Sequence, residues 1–183
     1  MRFIPTELDG AWIVHPEPYT DSRGLFARTF CTREFGGRKL VGTFVQCNTS
    51  WNVLKGTVRG LHFQLPPSCE AKLVRCTAGS LWDVIVDLRP ESPSYLQHLG
   101  VELSANNRRA LYIPEMFAHG FQTLEDGTEV FYQMSEFYAP GSARGLRYND
   151  PKLGIKWPLA LAAISDKDLS WPLLEKSCRV EPL

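Results

Sequence analysis

The chain has 183 residues, 44% of them hydrophobic, which suits one domain with a sizeable core and excludes a disordered tail. Twenty basic and twenty acidic residues cancel to a formal net charge of zero, which argues against a nucleic-acid binder working through a basic face. No apolar run approaches a bilayer span, so no membrane segment is expected.

In chain order, Met1-Arg2-Phe3-Ile4-Pro5 lacks an apolar stretch behind its charge and does not read as a secretory leader. A turn or two of helix is expected near Thr32 to Phe35. Thr43 to Asn48 reads as a strand. Lys72 to Cys76 alternates polar and apolar, Ala78-Gly79 turns the chain, and Ser80 to Leu88 is a longer β-rich run. Arg109 to Ile113, Gly120 to Leu124 and Glu129 to Met134 follow at short intervals. A second short helix is expected near the C-terminus. Fourteen glycines and thirteen prolines punctuate the chain, with no repeat or linker, so one domain over residues 1–183 is expected. Short strands at this spacing predict an all-β jelly roll or small barrel, with the terminal segments packed outside it. Five cysteines (Cys31, Cys47, Cys69, Cys76, Cys178) are scattered without C-x-x-C spacing. Neither a disulfide scaffold nor a cysteine zinc site is expected, and a reducing cytoplasm is the simplest home.

Several residues could carry chemistry. In Arg59-Gly60-Leu61-His62-Phe63-Gln64, strand alternation puts Arg59, Leu61 and Phe63 on one face and His62 and Gln64 on the other. His62 reads either as a satisfied core histidine or as a general base, since imidazole titrates near neutral pH. Lys72 is a surface lysine or, inside a barrel, a cation that needs an anion opposite, such as a developing enolate. His119 sits in what reads as a loop leading to a strand start. Tyr132 is core or a general acid. Ser165-Asp166-Lys167-Asp168 is a polar turn whose carboxylates cap a helix or orient an imidazole. His62 is followed by Phe63 and Gln64, so the His-x-His of a metal-binding cupin is missing, and no metal or other cofactor is expected. Neither G-x-G-x-x-G, a P-loop nor G-x-S-x-G is present.

Together and in order these segments resemble the dTDP-4-dehydrorhamnose 3,5-epimerases. The resemblance runs through Asp21-Ser22-Arg23-Gly24-Leu25-Phe26, Gln46-Cys47-Asn48-Thr49-Ser50, Arg59 to Gln64 and Lys72-Leu73-Val74. It continues through Asp83 to Arg89, Ile113-Pro114, Phe117 to Phe121, Tyr132, Phe137-Tyr138, Asn149-Asp150-Pro151, Ile155 to Pro158 and Ser165 to Asp168. It implies a cupin-like jelly roll (a double-stranded β-helix) with short flanking helices. It also implies inversion of C3 and C5 of a dTDP-4-keto-6-deoxyhexose, with no cofactor.

The resemblance gives the roles as well. His62 would be the base, Tyr132 the acid, Lys72 the partner of the C4 oxygen and Asp168 the partner of the histidine. Arg23 and Arg59 would hold the diphosphate, Gln46 and Asn48 the nucleotide. Phe26 belongs to the same Arg-Gly-x-Phe segment and is placed at the substrate. His119 would lie near sugar or phosphates, Lys167 near the nucleotide, and Tyr138 on the base. A homodimer is implied, each N-terminal segment entering the other subunit's site. Arg28 stands where the family often has Glu, Gln133 where Lys is frequent, and residues 50–58 run one residue long against the common pattern. Three alternatives stay open here: epimerisation at C3 or C5 alone, a CDP- or GDP-linked sugar, and a non-catalytic jelly roll that binds nucleotide sugars.

Overall fold

The computed structural model describes residues 1–174. β1 (Arg2–Pro5) and β2 (Trp12–His15) come first, then the small hairpin of β3 (Tyr19–Asp21) and β4 (Gly24–Phe26), then α1 (Thr32–Gly36). The long strands follow: β5 (Gln46–Asn52), β6 (Val58–Gln64), β7 (Lys72–Ala78), β8 (Ser80–Asp87), β9 (His98–Ser104), β10 (Ala110–Ile113), β11 (Phe117–Thr123) and β12 (Thr128–Met134). β13 (Ala143–Gly145) and α2 (Asp166–Ser170) close the described chain. The six strands β1-β2-β10-β7-β12-β5 form one sheet and the five strands β13-β6-β11-β8-β9 a second. The fold is the expected cupin-like jelly roll, and no helix among the described residues is long and apolar enough to cross a membrane.

Strand alternation builds the core. Val74, Cys76, Leu111 and Val130 of the first sheet meet Leu81, Ile85, Leu103 and Phe121 of the second. The outer face of the second sheet is also covered. Leu61, Phe63, Val84 and Val86 pack beneath Leu146, Leu153 and Trp157. β11 is therefore buried along its whole length, and β8 at all but one residue, which is why β8 reads as a near-continuous apolar run. The outer face of the first sheet carries Leu73, Ala110 and Tyr112 under Phe35 of α1. Phe35 is fully buried and meets Phe3, Phe30, Phe44 and Tyr112 edge-on. Burying such a ring stabilises by about 1.5–3 kcal/mol.

Three expectations change. The N-terminal segment does not pack outside. β2 pairs with β10, placing Ile13 against the inter-sheet core and Val14 on the outer aromatic cluster, so both faces of the strand are used. The strand expected at Thr43 starts at Gln46, because Phe44 turns aside into the cluster around Phe35. His119 lies within β11, not in a loop before it.

Candidate active site

The site begins with a defect in a strand. His119 of β11 pairs with His62 of β6, yet Phe121 pairs with Arg59, so two steps on β11 match three on β6. The extra residue is a β-bulge, and it reverses the alternation. Leu61 and Phe63 belong to the outer cluster, and Arg59 joins His62 and Gln64 at the cavity. Sequence alternation alone separates Arg59 from His62, and the bulge corrects that. Gly60 makes it possible. Its φ is +106°, and a Cβ there would stand 2.6 Å from both the Gly120 Cα and the His119 carbonyl oxygen.

The cavity opens between the sheets and holds about 620 Å³. β6 and β11 supply Arg59, His62 and His119 from one sheet; β5, β7 and β12 supply Gln46, Asn48, Lys72 and Tyr132 from the other. Tyr138, Lys167 and Asp168 complete the expected residues on its wall.

His62 binds Asp168 through Nε2 and Oδ1 at 2.6 Å, and its side chain stays 46% exposed. Asp168 is buried on α2, whose first turn is capped by Ser165: the Asp168 N–H donates to Ser165 Oγ at 3.1 Å. The second carboxylate oxygen accepts the Gly60 N–H at 3.2 Å, so the bulge also anchors the helix. Burial alone would raise the Asp168 carboxyl. The His62 ring, the Gly60 N–H and the Ser165 hydroxyl outweigh it and hold the group below its ordinary value.

Lys72, 8% exposed, reaches across to the other sheet. Its ammonium donates to the His62 carbonyl at 3.2 Å and lies 3.0 Å from Glu70 Oε1. Tyr132 is half-buried, and desolvation pushes its hydroxyl above the usual phenol value, partly offset by the Arg59 charge. Arg59 itself donates through Nε to Asn52 Oδ1 at 2.6 Å.

A second imidazole–carboxylate pair lies beside the first. His119 Nε2 meets Asp83 Oδ1 at 2.7 Å, with both side chains buried. Asp83 and Glu70 are the functional-site groups that sequence reasoning passed over. Both left a signal. Asp83 is a carboxylate inside the apolar run of β8, where a charge must be paired. Glu70 stands two residues before Lys72, hence on the same face.

The remaining expected residues divide. Gln46 Oε1 accepts the Tyr138 N–H at 3.1 Å, and Gln64 Oε1 the Ala139 N–H at 2.6 Å, so both glutamines fix the loop that carries Tyr138. Lys167 Nζ sits 5.9 Å from the centroid of the Trp171 ring. Arg23 and Phe26 are absent from the cavity wall. They lie on the β3–β4 hairpin, where Arg23 pairs with Asp21 of the same turn and Phe26 is 79% exposed. Arg28 is spent on Glu34 of α1 at 3.0 Å. Cys31, Cys47, Cys69 and Cys76 are free thiols, and Cys178 lies outside the described residues.

The chain is similar to known proteins over most of its length. A family model described as dTDP-4-dehydrorhamnose 3,5-epimerase matches residues 5–176. A dTDP-4-dehydrorhamnose 3,5-epimerase of Methanothermobacter thermautotrophicus is 48% identical over 178 residues, 95% of each chain. The crystal structure of the Bacillus anthracis enzyme of that name, with TDP and PPi bound, superposes with a TM-score of 0.91 at 40% identity, covering 94% of this chain and 99% of that one. A dTDP-6-deoxy-D-glucose-3,5-epimerase of Legionella pneumophila, in complex with dTDP-4-keto-L-rhamnose, gives 0.88 at 38% identity, covering 94% and 92%.

Proposed function

The chain belongs to the dTDP-4-dehydrorhamnose 3,5-epimerase family, isomerases that convert dTDP-4-dehydro-6-deoxy-D-glucose to dTDP-4-dehydro-L-rhamnose, and we propose that His62, Tyr132, Lys72 and Asp168 carry its chemistry. The observation behind this assignment is that an imidazole and a phenol, borne on facing sheets, line one cavity with an ammonium.

The reaction dictates those residue types. A C–H bond beside a ketone gives up its proton because the electron pair moves onto the carbonyl oxygen as an enolate. The Lys72 ammonium stabilises that charge. Neutral His62 takes the proton from one face of the ring. Asp168 orients the imidazole and stabilises the imidazolium. Tyr132 then donates its hydroxyl proton to the same carbon from the opposite face. Inversion needs this opposition, because a single acid–base group returns the proton to the side it left. C3 and C5 both flank the C4 ketone, so one set of groups serves both once the ring shifts. The phenolate and imidazolium reset by proton exchange with solvent. Arg59 holds the diphosphate, Gln46, Asn48 and Lys167 the nucleotide, Tyr138 the base, and His119 the sugar or phosphates. This remote binding energy keeps the sugar in reacting geometry.

The protein works as a homodimer, with Arg23 and Phe26 entering the partner's site. In support, Tyr19 and Phe26 of the hairpin are 71% and 79% exposed, so their apolar surface is uncovered within one chain. The described residues make up one domain, and their free thiols suit a cytoplasmic location.

Incubation with dTDP-4-keto-6-deoxyglucose in heavy water, followed by NMR, tests the assignment. Deuterium is expected at C3 and C5 alike, with both centres inverted. Exchange at only one carbon, or faster turnover of the corresponding CDP sugar run in parallel, would refute the dTDP 3,5 reading.

A further inference from the structure

Glu70 is unusual for an acidic side chain at the start of a sheet. Its side chain is only 8% exposed, it lines the cavity, and its Oε1 lies 3.0 Å from the Lys72 ammonium. Its Oε2 is buried and accepts no hydrogen bond from a described residue. A carboxylate in such a place costs stability unless a partner needs it. The backbone around it is fixed: the Ala71 N–H donates to Ser135 Oγ at 2.8 Å, and the Ala71 carbonyl accepts the Ser135 N–H at 3.0 Å. Residues 70 and 72 therefore project together from a pinned segment.

Counting donors gives the consequence. A lysine ammonium carries three N–H donors on a flexible stem that must lose rotamer freedom to aim them. Two donors of Lys72 are directed, one at Glu70 and one at the His62 carbonyl. One remains for the cavity. We infer that Glu70 is the positioning residue for Lys72: it neutralises the buried ammonium before substrate arrives and aims its third donor at the C4 oxygen. This rests on the assignment of Lys72 to that oxygen. Glu70 touches no reacting atom. It acts through the ammonium, and because the His62 carbonyl is the second acceptor, the same contacts tie the oxyanion partner to the strand that carries the base.

The test is a double-mutant cycle on kcat and KM, with folding followed by thermal unfolding. Lys72→Met lowers kcat. Glu70→Leu lowers kcat by about 100-fold, the scale of a misplaced group, and leaves KM within about 3-fold because the nucleotide is held elsewhere. Glu70→Gln, which still offers the ammonium an oxygen, recovers at least about tenfold of that loss. In the Lys72→Met background Glu70→Leu adds nothing, since its target is gone. Should Glu70→Leu alone unfold around an unpaired ammonium, the double variant, which removes both charges, still folds and is compared with Lys72→Met. Lys72→Met at wild-type kcat overturns the lysine assignment and this inference together. Lys72→Met impaired with Glu70→Leu at wild-type kcat overturns the inference alone. So does a double variant slower than Lys72→Met by the factor that Glu70→Leu, or Glu70→Gln in its place, costs the wild type.

Discussion

His62 and His119 are direct partners across the β6–β11 ladder, and each ring binds one carboxylate, at 2.6 and 2.7 Å. The His62 side chain keeps 46% of its surface open, while that of His119 keeps 9%. Their carboxylates differ as well. Asp168 arrives from a short helix 106 residues away and is also held by two further groups in the same corner, the Gly60 N–H and Ser165. Asp83 comes from the neighbouring strand β8, with Oδ2 buried and unpartnered among the described residues. A base must be reached by its substrate and must be able to gain charge. The exposed pair meets both needs. The enclosed pair is built to hold one arrangement, as a fixed donor at the cavity wall and a tie between two strands.

The contrast can be broken most sharply at the exposed pair. His62→Ala is expected to lose deuterium exchange at both C3 and C5 by about 10³-fold or more, because no other group takes the proton. Asp168→Asn should lower kcat by about 10²–10³-fold, with the heavy-water assay as readout, since an amide neither fixes the same tautomer nor stabilises the imidazolium. At the enclosed pair the order inverts. Asp83→Leu leaves a buried imidazole without its acceptor and should cost about 3–5 kcal/mol in chemical denaturation. His119→Gln should lower kcat/KM by only about tenfold.

A smaller effect appears with acid. The folded Asp168 carboxyl lies below its ordinary value of 3.8, so its contribution to stability is complete above that value and is lost as pH falls through the folded one. Between neutral pH and about pH 3, wild type should lose stability that Asp168→Asn does not, as read by denaturant midpoints. An equal loss in both would show that the His62 pair does not hold the carboxylate ionised.

Much of this was legible in the chain because β-strands announce themselves by alternation and by their turns. Lys72 to Cys76, Ser80 to Leu88 and Glu129 to Met134 became β7, β8 and β12 nearly residue for residue. The short pieces were harder. Trp12 to His15 is four residues between prolines and polar groups, and only its neighbour β10 makes it a strand. The bulge at Gly60 was invisible to a period-two reading, so Arg59 was assigned to the wrong face. The cavity residues His62, Lys72, Tyr132 and Asp168 could be named in advance, being polar groups in apolar or turn segments. Their convergence could not, because long-range pairing sets it. Arg23 and Phe26 failed to join the others for a plain reason: among the described residues, a hairpin of two three-residue strands pairs only with itself and leaves all six strand residues exposed.

The account stands on acid and base working from opposite sides of the sugar. Tyr132→Phe, incubated with dTDP-4-keto-6-deoxyglucose in heavy water and followed by NMR, separates proton removal from proton delivery. Deuterium should still enter at the carbons beside the ketone while inversion falls by about 10²-fold or more, because His62, once its proton has exchanged with heavy water, returns a deuteron to the face the proton left. Inversion at the wild-type rate in that variant would contradict the opposed arrangement.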